Sequence, residues 1–184
     1  MRRLMLLRHA KTENDAPSGR DQDRRLDPRG QVDAPEIGGW ISRHPPHPDL
    51  VLVSPAVRAR QTWELTWDAM KDQMAPPQVE TPPELYSADA GQLLQSIRIA
   101  AAADPKIRFK TLLLVGHNPG LHELALALTG GGDAKARQEL TRNMPTSGLT
   151  VLEFATDDWG EVSFGRGHLA AFVSPKLIKQ GSGD

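Results

Sequence analysis

Four residues that could bind and transform an anionic group follow the apolar runs of this sequence. Arg8 and His9 end the first run, Arg58 lies one helical turn beyond the second, and His117 comes two residues after the third. Short apolar runs bounded by polar residues are typical of buried strands in a mostly parallel sheet. Since the carboxyl ends of such strands form the reactive crevice, we expect the four side chains to share one site.

The chemistry of these residue types favours phosphate. Two guanidinium groups and two imidazole rings in one crevice repel each other unless an anion binds there. Phosphate fits because arginine binds its oxygens in bidentate pairs. One histidine can attack phosphorus if a hydrogen bond holds its other nitrogen. The second, as a donor, can stabilise the equatorial oxygens, and an acid is still needed for the leaving group.

The elements that would position these residues alternate between strand and helix, which predicts a three-layer α/β/α sandwich with a mostly parallel central sheet. Buried strands are predicted at residues 4–7, 49–53 and 111–115, and antiparallel strands at 149–154 and 161–164. Helices are predicted at residues 29–44, 55–71, 91–103, 121–128 and 134–140.

Local signals set the ends of several of these elements. Ser54 followed by Pro55 predicts a helix start, with the serine as cap and the proline in the first turn. That helix should bury Leu65 and a tryptophan. Residues 130–132 are three glycines, which should stop the preceding helix. Residues 14–28 are polar and rich in turn formers, and therefore predict a surface loop.

Composition limits the classes of protein that the sequence can encode. The chain has 184 residues, a formal net charge of −1 and no cysteine. The length predicts one domain over residues 1–184, with residues 180–184 as a frayed tail. The charge gives no reason to expect nucleic acid or an anionic membrane as partner, and the absence of cysteine excludes disulfides and thiolate chemistry. No apolar run approaches a membrane span and no cleavable leader is evident, so we expect a cytoplasmic protein.

Three motifs, in this order and spacing, resemble the histidine phosphatase superfamily, which has the phosphoglycerate mutase-like fold. They are Leu7-Arg8-His9-Ala10-Lys11, residues 54–62 (SPAVRARQT) and residues 115–120 (VGHNPG). The similarity extends to residues 23–30 (DRRLDPRG), residues 145–148 (PTSG) and Pro175, and thus covers nearly the whole chain. It is greatest to the SixA-type phosphohistidine phosphatase branch.

The resemblance implies a role for each residue of the predicted site. His9 would be the nucleophile that becomes phosphorylated, with Arg8, Arg58 and His117 as the phosphate pocket around it. Glu84 lies where the family has its proton donor. No metal or organic cofactor is implied.

Two positions depart from the family pattern. Ala10 stands where the family usually has glycine, which the SixA-like branch tolerates. Asp15 stands where many members have an asparagine that contacts phosphate.

Chain length bears on the substrate. Only 117 − 58 = 59 positions separate Arg58 from His117. In the mutase branch this interval carries a large insertion over the active site, and its absence resembles the small, open members that admit a protein side chain. Phosphohistidine on a partner protein is therefore the leading prediction. A small-molecule phosphatase or mutase, and a phospho-ligand binding module without catalysis, are the alternatives.

The other histidines and charged groups have simpler interpretations. His44 and His47, in a proline-rich connector, should be exposed and bind no metal. His122 should be structural or solvated, and the role of His168 is open. The basic group of Arg20, Arg24, Arg25 and Arg29 is interleaved with acids and should be a solvated face, with Arg24 or Arg25 able to reach the rim of the site.

Overall fold

The computed structural model describes residues 1–181 and has one seven-stranded sheet at its centre. The strands are β1 (Arg2–Arg8), β2 (Leu50–Val53), β3 (Gln78–Glu80), β4 (Thr111–Gly116), β5 (Thr129–Gly132), β6 (Leu149–Phe154) and β7 (Gly167–Val173). The α-helices of the described residues are α1 (Pro28–Arg43), α2 (Val57–Asp68), α3 (Ala90–Ala101), α4 (Gly120–Leu128), α5 (Ala134–Arg142) and α6 (Pro175–Lys179). Of the predicted frayed tail, residues 182–184 lie outside the described part of the chain.

Strand order and direction confirm a mostly parallel sheet. The order is β3-β2-β4-β1-β6-β7-β5. The pairs β1–β4, β2–β4, β2–β3 and β5–β7 are parallel, whereas β6 runs antiparallel to both of its neighbours. β1, β2 and β4 therefore end at the same edge of the sheet.

Alternating side chains of β1 build the two hydrophobic layers. Leu4 and Leu6 pack with the apolar residues of α3 and α4, while Met5 and Leu7 pack on the opposite face with those of α1 and α2. All four side chains are fully buried, which explains why this strand is apolar without interruption. The three-layer α/β/α sandwich predicted from the sequence is confirmed.

The predicted start of α2 is wrong in its detail. The helix begins at Val57, its capping residue is Ala56, and no side chain caps it. The hydroxyl of Ser54 instead accepts a hydrogen bond from the Ala56 amide (3.3 Å) and lies 2.6 Å from a histidine of the site described below. Leu65 is only half-buried, and of the two tryptophans of that helix Trp63 is the buried one.

The part of the sheet near the C-terminus differs most from prediction. The strand that pairs with β6 is β7, not residues 161–164, because a 3-10 turn at Trp159–Glu161 buries Trp159 before the chain can extend. The three glycines that should only stop α4 belong to β5, which pairs in parallel with β7. No helix within residues 1–181 is long and apolar enough to cross a membrane.

Candidate active site

The register of β1 and β4 brings the first and third motifs together. Arg8 is paired with Gly116, and the His9 amide donates to the Gly116 carbonyl at 3.1 Å. His117 follows immediately, so the rings of His9 and His117 lie 5.3 Å apart, centroid to centroid. The sheet itself therefore places the two histidines side by side.

The ring of His9 is buried and held in one tautomer. Only 7% of the residue is exposed, and Nδ1 lies 2.8 Å from the Ala10 carbonyl oxygen. Because a carbonyl only accepts, Nδ1 carries the proton and Nε2 has a free lone pair. Burial, followed by the charges of the neighbouring His117 and arginines, lowers the pKa of His9 to about 3, so that the neutral ring is the stable form at neutral pH.

His117 is held from the end of β2. Its Nε2 lies 2.6 Å from the Ser54 hydroxyl, which accepts from the Ala56 amide and can donate its own proton to the ring. In that tautomer Nδ1 carries a proton, and Nδ1 is buried without a hydrogen-bond partner among the described residues. Burial is the main cause that lowers the pKa of His117 to about 4.

The side chains of Arg8 and Arg58 are each held by a hydrogen bond to a backbone carbonyl. Nη1 of Arg8 donates to the Met144 carbonyl (3.2 Å), and Nη1 of Arg58 donates to the Asp21 carbonyl (2.9 Å). The Nε atom of each guanidinium is buried and has no partner among the described residues. A buried donor without an acceptor costs about 1–3 kcal/mol, and an oxyanion among these groups would supply the acceptors.

Polar side chains from two loops surround the outer part of the site. The Tyr86 hydroxyl donates to the Asp21 carboxylate (2.6 Å), which also forms an ion pair with Arg58 (3.1 Å). The Tyr86 ring stands edge-on to His117, with centroids 5.8 Å apart. Asp21, Arg58, Tyr86 and His117 line one cavity of about 340 Å³. A larger cavity of about 560 Å³ lies near the C-terminus of α1, away from the clustered donors, and does not share these residues.

The loop before β6 supports the backbone of the first motif. The Ser147 amide lies 3.2 Å from the Arg8 carbonyl and 3.1 Å from the His9 carbonyl, and donates to both. Ser147 is fully buried and has a φ of 60°, a conformation that costs a non-glycine residue about 1 kcal/mol or more. The loop is strained where it fixes Arg8 and His9, as is common at functional sites.

The predicted site residues fall into two groups. Arg8, His9, Arg58 and His117 are brought together. Glu84 lies in the 3-10 turn Pro83–Leu85, is exposed, and is not part of the cavity lining among the described residues.

The sequence also predicts roles near the site for Asp15 and Arg24. Asp15 is exposed. Arg24, which could reach the rim, donates from Nε to the Asp21 carboxylate (2.9 Å). Asp21 and Tyr86 are contributors that the sequence did not single out, because they come from loops whose polar composition signals only exposure.

The remaining histidines lie outside the cluster. His122 Nε2 lies 2.6 Å from the Leu140 carbonyl, which agrees with a structural role. His168 is exposed on β7. The predicted exposure of His44 and His47 is wrong: both are half-buried, and His44 stacks on Trp40 with ring centroids 3.9 Å apart. Within residues 1–181 no group of three or more histidine or carboxylate side chains could hold a metal ion.

The fold and the clustered donors together define an α/β phosphatase. The chain belongs to the histidine phosphatase superfamily: the family model for branch 1 of that superfamily matches residues 4–103. Among sequence relatives, an uncharacterised protein of Mycobacterium leprae is 37% identical over 92% of this chain and 100% of its own length.

The chain is also similar to solved structures of the SixA type. A candidate phosphohistidine phosphatase SixA from Nakamurella multipartitia is 28% identical, with a TM-score of 0.77 over 95% of this chain and 96% of that one. A second one, from Agrobacterium tumefaciens, is 32% identical, with a TM-score of 0.75 over 95% and 98% of the two chains.

Proposed function

We propose that this phosphatase removes the phosphoryl group from phosphohistidine on a partner protein, through a phosphohistidine intermediate at His9. The observation that carries the proposal is the 2.8 Å contact between His9 Nδ1 and the Ala10 carbonyl. It leaves the Nε2 lone pair free beside the buried, unpartnered donors of Arg8, Arg58 and His117. A neutral imidazole next to convergent donors is the arrangement that nucleophilic attack on phosphorus requires.

The reaction has two steps. In the first, Nε2 of His9 attacks phosphorus while the bond to the substrate nitrogen breaks; the electron pair stays on that nitrogen, and the substrate ring, protonated on its other nitrogen, leaves as neutral imidazole. Arg8, Arg58 and His117 bind the equatorial oxygens, where charge is concentrated during the transfer. In the second, water attacks the phosphorus of phospho-His9, the P–N bond breaks, and inorganic phosphate leaves.

The leaving group determines how much acid catalysis is needed. Glu84 remains a prediction as proton donor, and it is exposed at the N-terminal side of Tyr86. An imidazole leaves more readily than an alkoxide, and a phosphohistidine substrate therefore depends less on such a donor. The four proposed site residues Arg8, His9, Arg58 and His117 include no acid, and such a set suits a phosphohistidine substrate better than a phosphate ester.

The open mouth of the site supports a protein substrate, and we propose that this substrate is cytoplasmic. The chain between Arg58 and His117 forms the rest of α2, then β3, a 3-10 turn, α3 and β4, and these segments do not add a separate domain above the strand ends. Asp21 at the mouth has 54% of its side chain exposed. A histidine side chain on the surface of a partner could enter such a site.

A small phosphomonoester is the second candidate. The cavity of about 340 Å³ is near the lower end of the range for small-molecule sites, and this observation favours that alternative. A mutase would in addition require a priming bisphosphate.

The test is hydrolysis of a histidine-phosphorylated protein, phosphoramidate and a panel of phosphate esters. We expect release of phosphate from the phosphoramidates and an acid-labile, base-stable phosphate on His9 after rapid quenching. The His9→Ala variant should show neither, whereas His168→Ala, exposed on β7, should retain both. Turnover of esters with none on phosphoramidates would favour the second candidate.

A further inference from the structure

One acidic residue is built into the otherwise cationic cluster. The Asp21 carboxylate accepts hydrogen bonds from Arg58 Nη2 (3.1 Å), from the Tyr86 hydroxyl (2.6 Å) and from Arg24 Nε (2.9 Å). Its own carbonyl accepts from Arg58 Nη1 (2.9 Å). A single residue thus occupies the outer edge of the Arg58 guanidinium with both its backbone and its side chain.

This arrangement leaves the other edge of Arg58 for a ligand. A guanidinium offers two bidentate edges, one formed by Nη1 and Nη2 and one that includes Nε. Asp21 binds the first, while Nε is buried and without a partner in a residue that is only 6% exposed. An anion that needs two donors from Arg58 must therefore use the Nε edge.

We propose that Asp21 is a positioning residue, which turns the Nε edge of Arg58 toward the phosphoryl group, and that Tyr86 holds Asp21 in place. The proposal rests on the proposed phosphoryl site formed by Arg8, Arg58 and His117. Asp21 does not itself touch the reacting atoms. It acts through Arg58, whose long side chain would otherwise have to be ordered by the substrate at an entropic cost.

The contacts of Tyr86 connect the two sides of the pocket. Its hydroxyl binds Asp21, and its ring edge meets the His117 ring. The hydrogen bond from Tyr86 is the largest cause that lowers the pKa of Asp21 to about 2, followed by the charge of Arg58 and the bond from Arg24. The carboxylate is therefore ionised at every pH at which the enzyme would work, and the restraint on Arg58 is constant.

The experiment measures the binding of tungstate, a phosphate-like oxyanion, by calorimetry. Asp21→Ala should weaken binding about tenfold or more, the effect of losing a charge-assisted hydrogen-bond network. Asp21→Asn keeps an oxygen acceptor and should lose less tungstate affinity than Asp21→Ala. The affinity of Tyr86→Phe should lie between those of Asp21→Asn and the wild type. Asp23→Asn is the matched control, since Asp23 lies in the same turn and accepts instead from Ser18 at 2.7 Å. It should bind tungstate like the wild type.

Three results would overturn the proposal. Unchanged affinity in Asp21→Ala would show that Arg58 needs no restraint, and tighter binding would show that Asp21 competes with the anion. An equal loss in Asp23→Asn would assign the effect to net charge instead of position. Thermal unfolding checks that each variant is folded. If Asp21→Ala does not fold, the tungstate affinities of Asp21→Asn and Tyr86→Phe test the proposal. Tungstate binding needs no turnover, so a wild type that fails to hydrolyse phosphohistidine would overturn the proposed function and leave this test standing.

Discussion

The two halves of the sheet use strand direction differently. In the half formed by β1, β2 and β4, all strands are parallel and end at one edge, so the residues after them meet. The other half is formed by β6, β7 and β5. Within it, β6 is antiparallel to both β1 and β7, so β6 ends at the opposite edge of the sheet from β1. The arginines and histidines of the site follow β1, β2 and β4 of the first half, whereas β6 ends at the other edge of the sheet.

The second half still reaches the site, but through its backbone. The loop that leads into β6 donates the Ser147 amide to the carbonyls of Arg8 and His9. The side chains of the proposed chemistry thus come from the parallel half, and the loop before the antiparallel strand β6 fixes the peptide that carries Arg8 and His9. Substitutions in the first half should therefore change catalysis, whereas those in the second should change stability.

The largest expected difference between the halves concerns their histidines. His9→Ala removes the proposed nucleophile and should lower kcat/KM by at least about a thousandfold. His168→Ala, on β7, should stay within about twofold of the wild type, as an exposed side chain away from the cluster. The measurement is steady-state release of phosphate from phosphoramidate. Comparable losses in both variants would remove the distinction between the halves.

A smaller effect is expected for arginines on one helix of the first half. Arg58→Ala removes a buried guanidinium from the proposed phosphoryl pocket and should lower kcat/KM about a hundredfold. Arg60 is exposed and donates to the Pro55 carbonyl (3.2 Å), so Arg60→Ala should have little effect. The measurement is kcat/KM of Arg58→Ala and Arg60→Ala under the same conditions. A loss below about fivefold for Arg58→Ala would contradict its role in the pocket.

The first half could be predicted from the sequence because each of its signals is local. Short apolar runs ended by Arg8-His9 or by Gly116-His117 identify both the strand and its functional end. The positions of Asp21 and Tyr86 could not be predicted, since their contact spans 65 residues and both lie in polar loops. The helix cap predicted at Ser54 is wrong because its hydroxyl contacts His117 instead, and the local sequence does not distinguish these two uses of a serine hydroxyl.

The second half was hard to predict for different physical reasons. Glycine has low strand propensity, so residues 130–132 indicated only the end of a helix. Their use in β5 follows from close packing: a Cβ added to Gly130 would lie 1.9 Å from the Gly165 carbonyl oxygen. The irregular register of β6 and β7 between Val151 and Leu152 also breaks the alternation that a sequence pattern relies on.

That close packing allows the second half to be tested by itself. Gly130→Ala forces a methyl group against the backbone of Gly165 and should lower the free energy of unfolding by about 3 kcal/mol, the upper end for overpacking. Gly131→Ala, the next residue of β5, has nothing within 4 Å of an added Cβ and is the matched control. Urea denaturation measures the difference, and kcat of the folded Gly130→Ala protein should be unchanged. A fall in kcat with stability preserved would mean that β5 takes part in the site.

The smallest effect concerns pH and the buried ring of His9. Its pKa is lowered from 6.5 to about 3 in the folded protein, chiefly by burial, so the unfolded chain binds a proton at pH 5 that the folded chain does not. The stability that His9 contributes is therefore complete above pH 6.5 and falls as the pH drops toward 3. Between pH 7 and pH 5 this one group should lower the free energy of unfolding by about 2 kcal/mol. Urea denaturation at pH 7 and at pH 5 measures this loss of unfolding free energy. The loss should be smaller by about 2 kcal/mol in His9→Asn than in the wild type, and His168→Asn should lose as much as the wild type. An identical fall in wild type and His9→Asn would mean that the His9 ring is not held neutral by its surroundings.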